Sequence, residues 1–211
     1  MRRDIPKSKF LAAFFITAFI FLLVIMANNY FNEAKLNQLN ALYNNLRIDA
    51  LNAEVQYEII SENPCVALNF DPISQELFKL GEKLTSMEES LGKKNAQVLD
   101  LKKYYSILEI RQYLFVKKSS KQCNKDATPI LFFYSNNEDC PECESQGFVL
   151  NYIRNSVPGA YIYSFDVNLD SSPIKALKLS YNVTSVPSIV INEKAYPGFK
   201  DSDEIIKIIK K

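Results

Sequence analysis

Apolar positions along the chain fall into three regimes. From Phe10 to Ala27 they are almost continuous, FLAAFFITAFIFLLVIMA, with Thr17 the only polar side chain. From Leu36 to Phe115 they recur three and four apart. From Pro129 onward they come in short runs broken by turn residues. The first regime predicts a membrane-spanning helix, the second a set of amphipathic helices, and the third a small sheet with interleaved helices.

At about 1.5 Å per residue the first run makes a helix about 27 Å long, close to the ~30 Å hydrocarbon core of a bilayer. Its only cleavage-like site, Ile25-Met26-Ala27, lacks the small residue expected two positions before the last. Residues 1–28 are therefore expected to be a cytoplasmic stub and an uncleaved signal-anchor, held in lipid through residues 10–27. Arg2, Arg3, Lys7 and Lys9 precede the span, opposed by Asp4 alone, and no base follows it before Lys35. The positive-inside rule then predicts a single pass of the cell membrane, with the N-terminus cytoplasmic and the rest extracytoplasmic. Disulfides persist on that side.

Within 29–118, Leu36, Leu39, Tyr43, Leu46, Ala50, Ala53, Tyr57 and Ile60 form one seam of a long helix ending near Asn63-Pro64. A second helix is expected from Asp71-Pro72, with seam Ile73, Leu77, Leu80, Leu84, Met87 and Leu91 and a stop at Gly92. Gly81 weakens its interior. A third, from about Asn95, carries Val98, Leu101, Tyr105, Leu108 and Phe115. Short connections predict an all-α up-down-up unit whose helices bury one another. A partner-binding or dimerising coiled coil is the alternative use of the seams. In such a unit Cys65, in the loop after the first helix, and Cys123, after the third, lie at the same end. A structural Cys65–Cys123 disulfide is expected, worth on the order of 3–4 kcal/mol. Two unpaired thiols, or a second redox couple relaying electrons onward, are the other readings. The polar, aperiodic run 119–128 is read as a linker.

Composition narrows the chemistry. Lys+Arg 25 against Asp+Glu 24 leaves the chain near neutrality, so no charge excess draws it to nucleic acid. Histidine is absent, which excludes Cys–His and Ser–His–Asp catalysis and His-ligated metals. The four cysteines are the chemical candidates. Cys140-Pro141-Glu142-Cys143 follows the apolar run 129–134 and precedes a helix-like stretch. A strand-to-helix turn puts Cys140 beside a helix N-terminus, where unpaired N–H groups favour a thiolate. The spacing lets the second thiol resolve a mixed disulfide formed on the first.

The region 129–211 reads as a βαβα-ββα α/β domain. Strands are expected at 130–134, 160–167 and 188–191, with a hairpin at Asn192-Glu193. Helices are expected at 143–155, 173–181 and 201–211. With Cys140-Pro-Glu-Cys143, the Phe165-Asp166-Val167 strand end and Ser185-Val186-Pro187-Ser188 before a strand, this region resembles the thioredoxin superfamily. The resemblance implies a cis Pro187 facing the cysteine pair, with Val186 offering backbone hydrogen bonds to substrate. It implies Cys140 as nucleophile, Cys143 as resolving thiol, and Pro141 and Glu142 shaping the active-site turn. No cofactor beyond the redox-active disulfide is implied. Asp139 stands where thioredoxins usually carry tryptophan, and the strand leading to the cysteines has no acidic residue. Glu142 stands where DsbA-like oxidases carry histidine. With Glu138 and Asp139 it makes the turn anionic, so a couple less oxidising than theirs is expected.

The leading expectation is a membrane-anchored thiol–disulfide oxidoreductase acting on extracytoplasmic Cys-containing proteins and recycled by a membrane redox partner. Its direction, as oxidase, isomerase or reductase, stays open. The alternatives are a soft-metal thiolate site, for which a tetrahedral zinc centre would need all four cysteines, and a helical scaffold with an inert disulfide. Phe132, Phe133, Tyr161 and Tyr163 are read as sheet and core residues rather than substrate contacts. Asn182-Val-Thr184 matches a glycosylation acceptor, but its place just before Pro187 argues against a bulky glycan.

Overall fold

The computed structural model describes residues 7–67 and 72–210. Arg2, Arg3, Asp4 and the cap residue Asp71 lie outside the described residues. So do the side chains of Lys7, Lys9, Leu36, Leu39, Tyr43, Leu46, Ala50, Ala53 and Ile73. The chain divides into two compact units, Met1–Asn45 and Leu46–Lys211.

Helix α1, Lys7–Ser61, runs through the first unit into the second. Ala27 does not end it, because no proline or glycine occurs between the span and Pro64. Its segment Phe10–Phe31 is long and apolar enough to cross a membrane, and its side chains are exposed throughout. Thr17 returns its hydroxyl to the carbonyl of Ala13 at 2.6 Å, so the one polar side chain of the expected span is satisfied within the helix.

In the second unit α1 is followed by α2 (Pro64–Ala67), α3 (Pro72–Leu91) and α4 (Ala96–Cys123). Cys65, expected in a loop, sits in the single turn of α2. Asn95 caps α4 by accepting from the N–H groups of Gln97 and Val98. Helices α3 and α4 run antiparallel: Glu88 meets Lys102, Gly81 meets Tyr105, and Ser74 meets Gln112. Gly81 has a packing reason, since a Cβ there would come within 2.8 Å of the Tyr105 hydroxyl. Helix α1 joins α4 through Glu54, which pairs with Arg111 and accepts from Tyr104, and through an edge-on Tyr57–Phe115 contact. Cys65 and Cys123 are disulfide-bonded, with Cα atoms 5.4 Å apart.

The rest of the unit is β1 (Thr128–Tyr134), α5 (Cys143–Ser156), β2 (Ala160–Asp166), α6 (Ser172–Ser180), β3 (Ser188–Ile191), β4 (Lys194–Pro197) and α7 (Ser202–Ile209). Four strands form one mixed sheet in the order β2-β1-β3-β4. β2 is parallel to β1; β3 is antiparallel to β1, and β4 to β3. Alternate residues face opposite layers. Leu131, Phe133, Tyr163, Phe165 and Val190 pack with Ile110 and Tyr113 of α4 and Ile174 and Leu177 of α6. Ile130, Phe132, Ile162, Ile189 and Ile191 pack with Leu150 and Ile153 of α5 and Ile205 of α7. The third helix of the amphipathic series is thus also a cover of the sheet. The polar run 119–128 holds the last turn of α4, a short connection and the first residue of β1.

β2 lies at the sheet edge, where unpaired backbone groups need partners. The Ser164 N–H donates to Glu109 at 3.1 Å, and Arg154 donates to the Ile162 carbonyl at 3.0 Å. Glu109 is only 3% exposed. Burial pushes its carboxyl up to about 8, against the smaller opposing pull of the Ser164 N–H, Arg154 and Tyr105. The folded chain therefore keeps a proton that the unfolded chain, with a value of 4.5, releases. That contribution to stability is present at low pH and is lost as pH rises toward 8. Glu109→Gln should gain denaturation midpoint relative to the unmutated chain as pH is raised from about 5 to about 8. A difference that does not change with pH would contradict the assignment.

Candidate functional site

Strand directions gather the site at one end of the sheet. β1 ends at Tyr134, and its register places Asp166, the last residue of parallel β2, beside it. Antiparallel β3 enters at the same end, with Ser188 opposite Phe133. The loop 135–142, the residues after Asp166 and the Val186–Pro187 peptide therefore meet. That peptide is cis.

Cys140 and Cys143 are disulfide-bonded, with Cα atoms 5.4 Å apart. Cys143 is the first residue of α5, and its N–H returns to the Cys140 carbonyl at 3.2 Å. Pro141 and Glu142 fill the turn ahead of the helix, so Pro141 lies before the first helical turn rather than in it. Glu142 stands at the N-cap without a side-chain cap bond. Cys143 is 7% exposed and belongs to the core cluster on the α5 face, against which the half-buried Cys140 and Val186 pack. Pro187 is buried. Cys140, Cys143, Val186 and Pro187 are thus brought together. Cys65–Cys123 is not part of this group, because Cys123 precedes β1 and Cys140 follows its far end. A seven-residue strand puts these ends on the order of 20 Å apart. Among the described residues no cluster of three or more His, Cys, Asp or Glu groups is placed to hold a metal ion.

Charge around the turn is anionic at the surface and mixed beneath it. Glu138, Asp139, Glu142 and Glu144 are exposed, and Glu138 takes a left-handed φ of 62°. Below them lies a polar group that sequence reasoning missed. Lys102 of α4 is 4% exposed and donates to Glu88 of α3 at 2.5 Å and to Asp166 at 3.1 Å. Its ammonium also sits 5.3 Å from the centre of the Tyr134 ring. Burial alone would lower the Lys102 pKa; Tyr134, Asp166 and Glu88 outweigh it and raise it. Burial, foremost, raises that of the Tyr134 phenol. Asp166 also accepts from the Asn168 N–H, Asn168 donates to Ser135 at 2.5 Å, and Ser135 donates to Asp139. The available signal was positional: Lys102 and Glu109 each follow a seam residue, Leu101 and Leu108, and so lie on the margin of the buried stripe.

No family model matches this chain, and none of the curated proteins compared with it is a significant match. What the site can do follows from its own atoms. Of the two sulfurs, Cys140 belongs to a half-buried residue and Cys143 to a buried one, and thiolate attack on a disulfide goes to the more accessible sulfur. In reduced protein, Cys143→Ser should leave Cys140 readily alkylated by a bulky maleimide. Cys140→Ser should leave Cys143 labelled slower by roughly tenfold or more. Equal rates would overturn the assigned order of attack.

Proposed function

We propose that this chain is a membrane-anchored protein thiol–disulfide oxidoreductase whose C-terminal part is a thioredoxin-like domain working on the extracytoplasmic side. The observation that carries the proposal is a disulfide opening helix α5 that shares one core cluster with Val186 of a cis Val186–Pro187 peptide, at one end of a mixed sheet. A cysteine pair alone fits many proteins. A pair with one accessible and one shielded sulfur, beside backbone held open by a proline, fits exchange with an extended client chain.

In the oxidising direction a client thiolate attacks Sγ of Cys140. The client–Cys140 bond forms, the Cys140–Cys143 bond breaks, and its electron pair leaves on Cys143, which takes up a proton. A second client thiolate then attacks the client sulfur of the mixed disulfide, and Cys140 departs as thiolate. The client has lost two electrons and the pair has gained them; a membrane redox partner removes them to renew the disulfide. The reducing direction is the same sequence reversed, and the potential of that partner selects between them. Val186 supplies the backbone edge for the client, and Pro141 and Glu142 fix the turn. The apolar Phe10–Phe31 segment holds the protein in the bilayer, and the basic residues before it orient the C-terminal part outward.

The full chain in detergent should catalyse reduction of insulin disulfides or oxidation of a reduced client, and Cys140→Ser should abolish both. Wild-type activity no greater than that of Cys140→Ser would refute the proposal. In sealed vesicles of known orientation, added protease should degrade the part after Asn28 only from the extracytoplasmic face; cleavage from the cytoplasmic face would reverse the topology.

A further inference from the structure

We infer that Lys102 and Glu88, both supplied by the helices that precede the sheet, are positioning residues that set the reactivity of Cys140 from a distance. The inference rests on the thiol-exchange reading and adds a role for the helical segment in it.

The path is continuous on both sides. The ammonium of Lys102 joins the carboxylates of Glu88 and Asp166. Glu88 also accepts from Asn136, inside the loop that leads to the cysteines, at 3.4 Å. From Asp166 the path runs through the Asn168 backbone and side chain to the hydroxyl of Ser135. Ser135 is buried and fully engaged: it accepts from Asn168 and from the Asn137 N–H at 3.1 Å, and it donates to Asp139, the residue before Cys140. Both ends of the loop 135–139 are therefore tied to a charge group anchored in α3 and α4.

Two physical effects follow. The Ser135 hydroxyl fixes the Asp139 carboxylate and draws off part of its charge, which limits the penalty that an adjacent anion imposes on a Cys140 thiolate. The group of Lys102, Glu88 and Asp166 carries one cation against two anions in a poorly screened place, so removing the cation makes it more negative and removing one anion leaves it neutral. Removing the cation should disfavour the thiolate, while removing an anion should favour it. A simple loss of packing has no such dependence on sign. The other charged groups facing the turn, Glu138, Glu142 and Glu144, are exposed and better screened.

The test uses the full chain in detergent, with two readouts: the equilibrium of Cys140–Cys143 with glutathione, and the pH midpoint of Cys140 alkylation in Cys143→Ser backgrounds. Lys102→Met should shift the equilibrium toward the disulfide by about threefold or more and raise the alkylation midpoint. Glu88→Gln should shift both in the opposite direction. Asn168→Ala, at an exposed position, cuts the path without disturbing the buried ions and should move both readouts in the same direction as Lys102→Met. It decides the matter if Lys102→Met does not fold. Folded variants with both readouts unmoved, or Lys102→Met and Glu88→Gln moving together, would overturn the inference and leave the exchange proposal standing. A wild-type pair that dithiothreitol cannot reduce would overturn both.

Discussion

An ammonium group taken out of water costs several kcal/mol unless anions meet it in fixed geometry. Lys102 meets that requirement where α3, α4 and the end of β2 converge. Glu88 must face inward from α3, Asp166 must close β2, and Tyr134 must end β1 beneath the ammonium. Misregister by a single residue in β2 would turn Asp166 to the opposite face and leave the lysine with Glu88 as its remaining anion of the two. The ion group therefore specifies how helices and sheet are joined, whatever it adds to net stability.

The same joint explains why the helices and the α/β segment make one compact unit. Helix α4 places Ile110 and Tyr113 on the sheet, Glu109 on its open edge and Lys102 at the end where β2 closes with Asp166. One helix face thus supplies apolar cover, backbone satisfaction and charge. The Cys65–Cys123 bridge fastens the far end of α4 to the turn that follows α1.

Much of this was legible in the chain. Strand and helix runs after Pro129, the Asn192-Glu193 hairpin and the opening of α5 at Cys143 follow from alternation, turn residues and helix periodicity. The meeting of Cys65 and Cys123 follows from an up-down-up order with short connections, which brings the ends of the first and third helices together. What was hidden has a common cause. Periodicity marks a buried stripe by its apolar members, so a lysine or glutamate on the margin of that stripe looks like any solvated charge. Lys102, Glu109 and Asp166 are recognisable only once their partners, far away in sequence, are in place. The unbroken course of α1 past Ala27 was hidden for another reason: polarity changes there while helix propensity does not.

The antiparallel entry of β3 leaves the sheet with two unlike ends. One collects the cysteine turn, Asp166 and the cis peptide. The other carries the exposed Asn192–Glu193 tip and the connections before β1 and β2. Insertions or epitope tags at that second end stay clear of the cysteine turn, whereas a single added residue between Tyr181 and Val186 would displace the cis Val186–Pro187 peptide itself.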